Sequence, residues 1–166
     1  SGIPLPVIEY GKKRVFLSAK AEYRIGGILV SKRRYTNGFM SDLSPWDYAM
    51  IWGDVPNFIN HIKFDQIVRY CLFKYDPSQG IDVDYVSRHL SNNHLIPANK
   101  NIRKALKAGK KGMSVELSGY LVDVDAVLPG GGSQTWRSSM KRDDTAGGAC
   151  EIIYVTRLRL GDRVYE

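Results

Sequence analysis

The sequence predicts an α+β fold: a small, partly open antiparallel β-barrel of OB-like or SH3-like type, with short helices inserted between N- and C-terminal strands. Three observations carry this. The last third of the chain, Met113 to Leu160, holds the densest supply of β-branched and aromatic residues, broken by Pro129-Gly130-Gly131-Gly132 and by a second, acidic and glycine-containing stretch. Strand-like sequence also begins at Arg14. Between the two, helix starts and stops recur at short intervals. Strands at both ends with helices gathered between them are the pattern of an α+β domain.

The bulk properties bound the rest. A chain of 166 residues is long enough to bury one sizeable core without a metal or disulfides. Residues 1–13, with Pro4 and Pro6 and no period, read as a flexible linker, and residues 14–166 as a single α+β domain. The opening Ser1-Gly2 reads as a tag scar, so any leader or anchor of the natural protein would precede it. Cys71 and Cys150 are too few for a disulfide scaffold and sit among apolar neighbours, which suits two free thiols. The net charge of +7 biases the chain toward polyanionic partners without defining a site.

In chain order, Arg14 to Val30 reads as strand, with Tyr23 and Ile25 on one face, Ile28 and Val30 sharing another pairing, and Gly26-Gly27 predicting a bulge or bend between them. Ser44 to Gly53 predicts a helix. Ser44 suits the N-cap, Pro45 the first helical position and Asp47 the positive helix end, while Trp46, Ala49, Met50 and Gly53 fall at helical spacing. Pro56 opens a helical turn, Gln66 to Tyr75 reads as one strand, and Asp82 caps a short helix through Leu90. Ser91 to Pro97 reads as a polar loop. Asn99 caps a helix from Lys100 to Ala108 with the apolar stripe Ile102, Ala105 and Leu106, closed by Gly109. In the C-terminal sheet, the change of apolar parity at Gly119 predicts a bulge. Gly130-Gly131-Gly132 is a loop tip and no phosphate loop, since no Lys-Ser/Thr follows it.

No motif has a spacing that forces a chemistry. The polar tetrad Ser91, Asn92, Asn93 and His94, set beside Arg137 to Glu151, is the first candidate site. Its ligand-binding residues are Ser91, Asn92, Asn93, His94, Trp136, Arg137, Ser139, Arg142 and Asp144. A catalytic version makes His94 a general base, oriented by Asp143, Asp144 or Glu151, with Ser91, Ser138 or Ser139 as nucleophile. The plainer reading is that these side chains tie down a loop. Of the acidic pairs, Asp123 and Asp125 share a strand face, but solvated strand ends account for them, and no cofactor or metal is predicted. Lys100, Lys104, Lys107 and Lys111 line one face of the 100s helix. With Arg103, Arg33, Arg34 and the ring of Tyr35 they form a candidate nucleic-acid surface.

Several stretches together resemble a family of uncharacterised bacterial proteins. They are Ala21 to Ile25 with Ser31 to Tyr35, Leu43 to Asp47 with Trp52-Gly53, Ser91 to Ala98, Leu117 to Val124, and Trp136 to Ser139 through Asp144 to Gly148-Ala149-Cys150-Glu151. The likeness spans about residues 20 to 156. Members of that family often begin with one hydrophobic anchor or signal segment. The resemblance therefore implies a periplasmic or membrane-anchored domain, tethered by a segment absent from this chain, and it implies no activity. Cys71 and the basic 100s helix lie outside the pattern.

The expectation is an extracytoplasmic binding or interaction module, more a binder than an enzyme, for a protein or small-molecule partner. The first alternative is a nucleic-acid-binding barrel using the basic helix. The second is a hydrolase using His94, and a cytoplasmic location is the alternative to the periplasm.

Overall fold

A computed structural model describes residues 2–38, 40–141 and 150–166. The protein is mostly β. Among the described residues the strands are β1 (Ile8–Tyr10), β2 (Lys13–Arg34), β3 (Trp46–Ile51), β4 (Ile62–Ile67), β5 (Tyr70–Tyr75), β6 (Leu90–Pro97), β7 (Ser114–Val127), β8 (Ser133–Trp136), β9 (Cys150–Leu160) and β10 (Arg163–Tyr165). Helices α1 (Val83–Arg88) and α2 (Lys100–Ala108) and two 3-10 turns, Val55–His61 and Pro77–Gln79, lie between them.

The large sheet follows the order β1-β2-β3-β6-β9-β7-β8, and a further β2–β7 pairing closes β2, β3, β6, β9 and β7 into a ring. Only β6 and β9 pair in parallel within that ring; the other ring pairings are antiparallel. Successive side chains on a strand point to opposite faces, so each ring strand feeds two cores. Tyr48, Met50, Leu95, Leu117, Ile153 and Leu158 pack with Ile102, Ala105 and Leu106 of α2. On the other face, Ile96, Ile152, Val122 and Val124 pack under Met40 and Leu43. Ala49 and Ile51 pack with Val55, Ile62 and Val86 beneath the β4–β5 hairpin and α1. Each fully buried Leu or Ile contributes about 1.5–3 kcal/mol relative to exposure.

The predicted α2 forms as its local signals require. The Asn99 side chain accepts a hydrogen bond from the Ile102 amide at 2.9 Å, and the apolar stripe is buried. Asp82 caps α1 through the Tyr85 amide at 3.0 Å. The bulge at Gly119 is present as a register shift between Ser118 and Gly119 against β9.

Five expectations are corrected. The stretch Ser44 to Gly53 holds strand β3, Trp46–Ile51, and no helix. Trp46, Tyr48 and Met50 enter one core and Asp47, Ala49 and Ile51 the opposite face, so burial on both sides erases the alternation that marks a strand. Gln66 to Tyr75 is the end of one strand, a two-residue turn at Val68-Arg69, and a second strand. Ser91 to Pro97 is the central strand β6 rather than a loop. Strand β2 runs unbroken through Gly26-Gly27, with its irregularities at Ala19/Ala21 and Leu29/Ser31. Gly27 instead admits a close strand approach, since a Cβ there would lie 2.3 Å from the Ile51 carbonyl oxygen. Residues 8–10, inside the stretch read as a linker, pair with β2 as β1.

Candidate functional site

The β3–β6 pairing sets the site. It places Asp47 opposite His94 and Asn93 opposite Tyr48. Alternation then splits the sequence-predicted tetrad between two faces. Ser91 and Asn93 turn to one side, where Ser91 Oγ donates to Asn93 Oδ1 at 3.2 Å and Asn93 Nδ2 donates to the Tyr48 carbonyl at 3.0 Å. These two are structural ties within the sheet. Asn92 and His94 turn the other way and meet Asp47.

Asp47 is fully buried and is surrounded by donors. Arg69 Nη1 donates to Oδ1 at 2.6 Å, Asn92 Nδ2 donates to Oδ2 at 3.2 Å, and His94 Nδ1 lies 2.9 Å from Oδ2. With Nδ1–H donating to Asp47, a neutral His94 ring carries its lone pair on Nε2. Among the described residues, Nε2 has no hydrogen-bond partner, and the side chain is 1% exposed. A buried polar atom in that state costs free energy until something meets it.

The β4–β5 hairpin supplies the other half of the cluster. Its turn residues Val68 and Arg69 have φ of 47° and 69°, and this pair of left-handed residues turns the Arg69 side chain inward. Arg69 Nη2 donates to the Ser44 carbonyl at 2.9 Å, and its guanidinium lies 3.9 Å from the Tyr35 ring centroid and 5.2 Å from that of Trp136. Gln66 Nε2 donates to Asn92 Oδ1 at 2.7 Å, and Gln66 Oε1 accepts from Ser31 Oγ at 2.9 Å. The Trp136 ring stands 4.7 Å from the His94 ring. Cys150, paired with Asn92 in the β6–β9 register, lies 3.8 Å from the Arg69 carbonyl; burial first, and then Glu151 and Asp47, push its thiol up to about 11.

No family model, curated protein or solved structure matches the chain.

The remaining candidates are placed as follows. Arg142 and Asp144, with Asp143, lie outside the described residues. Arg137 is committed to β7, donating to Asp125 at 2.6 Å and to the Val124 carbonyl at 3.0 Å. Ser139 Oγ donates to the Lys141 carbonyl at 3.0 Å. Glu151 is buried in β9 opposite Asn93. The carboxylate that orients His94 is Asp47, a residue sequence reasoning assigned to a helix end. Arg69 and Gln66 were not singled out either. The one signal for Asp47 is an acid inside the run Trp46-Asp47-Tyr48-Ala49-Met50-Ile51, since charges in buried runs are almost always paired.

The basic residues form a separate surface. Lys100, Arg103, Lys104 and Lys107 are exposed along α2, as are Arg33 and Arg34 on β2, whereas Lys111, expected on the same helix face, is exposed in the turn beyond the helix end. Lys32 bridges the two. Its Nζ lies 4.6 Å from the Trp46 ring and donates to the Lys107 and Gly109 carbonyls at 2.9 and 2.6 Å. Burial, and then the charge of Lys110, lower the pKa of Lys32.

Proposed function

We propose that the protein is a non-enzymatic binding module of an extracytoplasmic, membrane-associated bacterial protein, and that it recognises its ligand on the outer side of β3 and β6. The observation that carries this is His94 Nε2: buried, oriented through Asp47, beside Trp136, and without a partner among the described residues. The strand cycle supports it. Antiparallel β2-β3-β6, a parallel β6–β9 pair, β7 between β9 and β2, and a helix between β6 and β7 fit an OB-type barrel better than an SH3-like one. OB barrels bind chain-like ligands on the face of their second and third strands, flanked by the connections after the first strand and before the fifth. Those correspond here to β3, β6, the connection holding Tyr35, and the one holding Trp136. This is analogy from fold, and the chemistry rests on the side chains. A flat ring or sugar face suits Trp136, and a ligand hydroxyl or amide suits the buried Nε2 once the ligand displaces the Trp136 ring that stands 4.7 Å from the imidazole.

Panels of short oligosaccharides and oligonucleotides, followed by amide and indole NMR shifts, test the reading. The expected result is a ligand that perturbs His94 and the Trp136 indole and is lost in His94→Gln and Trp136→Ala. A ligand held undiminished by both variants would sink it. Fractionating cells that make the full-length natural protein tests the location, with recovery in the periplasm or envelope expected.

The nucleic-acid reading keeps one favourable observation: residues 85–115 contain no Asp or Glu, so the cations of α2 lack local compensation. It requires affinity that falls steeply with salt. The hydrolase reading meets half its geometry in the Asp47–His94 pair. The hydroxyls offered as nucleophiles are engaged elsewhere, Ser91 with Asn93, Ser138 with the Ser139 carbonyl, and Ser139 with Lys141, and we do not adopt it.

A further inference from the structure

The β4–β5 hairpin forms a two-stranded sheet of its own, and its inner face holds Gln66 and Arg69 in the polar cluster. Its outer face serves none of those contacts. Val68 at the tip is 72% exposed and Leu72 53%, and Ile67 and Tyr70, directly opposite one another, are exposed beside them. Four large apolar side chains thus crowd six residues of a convex tip, where a monomeric surface ordinarily scatters them singly.

Away from the tip the outer face changes character in steps. The Ile67–Tyr70 rung comes first, then Asp65 opposite Leu72, then Lys63 opposite Lys74. At about 3.3 Å per residue the lysine rung stands about 16 Å behind the tip. Like charges directly opposite one another destabilise a sheet, and among the described residues neither lysine has an ion-pair partner. Arg33, also exposed, stands beside the hairpin and donates to the Gln66 carbonyl at 2.7 Å. Asp65 is the one charge within the apolar half, and its Oδ1 accepts from the Gln66 amide at 2.9 Å.

The turn adds an independent argument. Two consecutive left-handed residues favour Asn-Gly, and a β-branched residue there is a conformational outlier. Val68 bears that strain and remains largely exposed to solvent. A side chain that costs the fold and packs little within it is accounted for by what it meets outside.

We propose that this hairpin is a membrane-docking finger: Ile67, Val68, Tyr70 and Leu72 enter the interfacial layer of a bilayer containing anionic lipid, and Lys63, Lys74 and Arg33 meet its headgroups. An apolar tip, a tyrosine at the boundary and cations behind it follow the polarity profile of a bilayer interface. The net charge of +7 matches an anionic surface. The inference concerns a different surface from the His94 face, so either can fail while the other stands.

The test is co-sedimentation with vesicles of phosphatidylcholine containing about one third phosphatidylglycerol, against pure phosphatidylcholine. Three proteins are compared: wild type, Val68→Asn/Leu72→Asn, and Lys104→Gln/Lys107→Gln on α2, with folding checked by circular dichroism. The expected result is preferential binding of wild type to the anionic vesicles. The hairpin variant should partition at least about tenfold more weakly while staying folded, because two buried apolar side chains are lost. The α2 variant should bind like wild type. Three results would overturn the proposal: no vesicle binding by wild type, equal binding by the hairpin variant, which marks adsorption through charge alone, or loss of binding in the α2 variant only.

Discussion

His94 Nδ1 and Asp47 Oδ2 lie 2.9 Å apart, on side chains that are 1% and 0% exposed. That contact joins β3 to β6, and the same carboxylate anchors the hairpin through Arg69 at 2.6 Å. Asp47 is therefore the charge on which two imported side chains depend. Removing one partner of a buried pair costs about 3–5 kcal/mol, because the other charge stays buried and uncompensated. Asp47→Asn should lower Tm by about 9–14 °C in a domain of this size. Asp47→Asn/Arg69→Met should be more stable than Asp47→Asn alone, since no unpaired guanidinium remains. Thermal unfolding of the three proteins checks this. Equal stability of Asp47→Asn and wild type would show that the cluster does not hold the fold.

The hairpin turn offers the opposite sign. Val68 and Arg69 both have positive φ, and Asn tolerates that region better than a β-branched residue. Val68→Asn should stabilise the protein by about 1 kcal/mol. Urea unfolding should give a higher midpoint with an unchanged slope. A lower midpoint would mean that the exposed Val68 side chain packs in the folded state after all.

How legible each element was follows from where its determinants lie. Helix α2 could be read because the Asn99 cap and the Ile102, Ala105, Leu106 stripe sit within ten residues of each other. Strand β3 could not. Its two faces belong to two different cores, and Ser44-Pro45 imitates a helix start while serving the Arg69 guanidinium. Strand β6 looked like a loop because Asn92 and Asn93 are polar, and their satisfaction comes from distant positions, Gln66 and the Tyr48 carbonyl. The hairpin turn carries neither Gly nor Asn and announced nothing. Of the site, His94 and Trp136 were legible as chemistry-bearing residues. Asp47 and Arg69 were not, because only the register of β3 on β6 and the turn of the hairpin bring them there.

The cysteines predict a pH-dependent reactivity. Burial pushes Cys71 up to about 12 and Cys150 up to about 11, and neither is bridged. The thiolate is the nucleophile, so alkylation by iodoacetamide at pH 8 should be much slower in the folded protein than in urea. The linkage has one sign. A raised pKa means that the folded state holds its proton longer, so stability is retained below pH 9 and falls as pH rises from there toward 11–12. Replacing both cysteines with alanine should flatten that alkaline decline. Equal alkylation rates folded and unfolded at pH 8 would contradict the raised pKa that partial burial gives both thiols.

Two glycines separate close approach from mere backbone freedom. A Cβ on Gly119 would lie 1.9 Å from the Tyr154 carbonyl oxygen, a backbone atom that can give way only by opening the β7–β9 pairing at its bulge. A Cβ on Gly26, in the adjoining strand, would meet the Val115 carbonyl oxygen at 3.9 Å, an ordinary contact. Gly119→Ala should cost about 1–3 kcal/mol, the range of an overpacked core, while Gly26→Ala should be nearly silent. The difference is specific to the ring. β7 pairs with both β2 and β9, so a shift at Gly119 propagates to the two pairings that close the circle. Amide exchange on β9 reports it directly. In Gly119→Ala the amides near Tyr154 and Thr156 should exchange faster than in wild type, while those of β4 and β5 stay unchanged. Uniform acceleration everywhere would mean that the substitution weakens the whole fold rather than this junction.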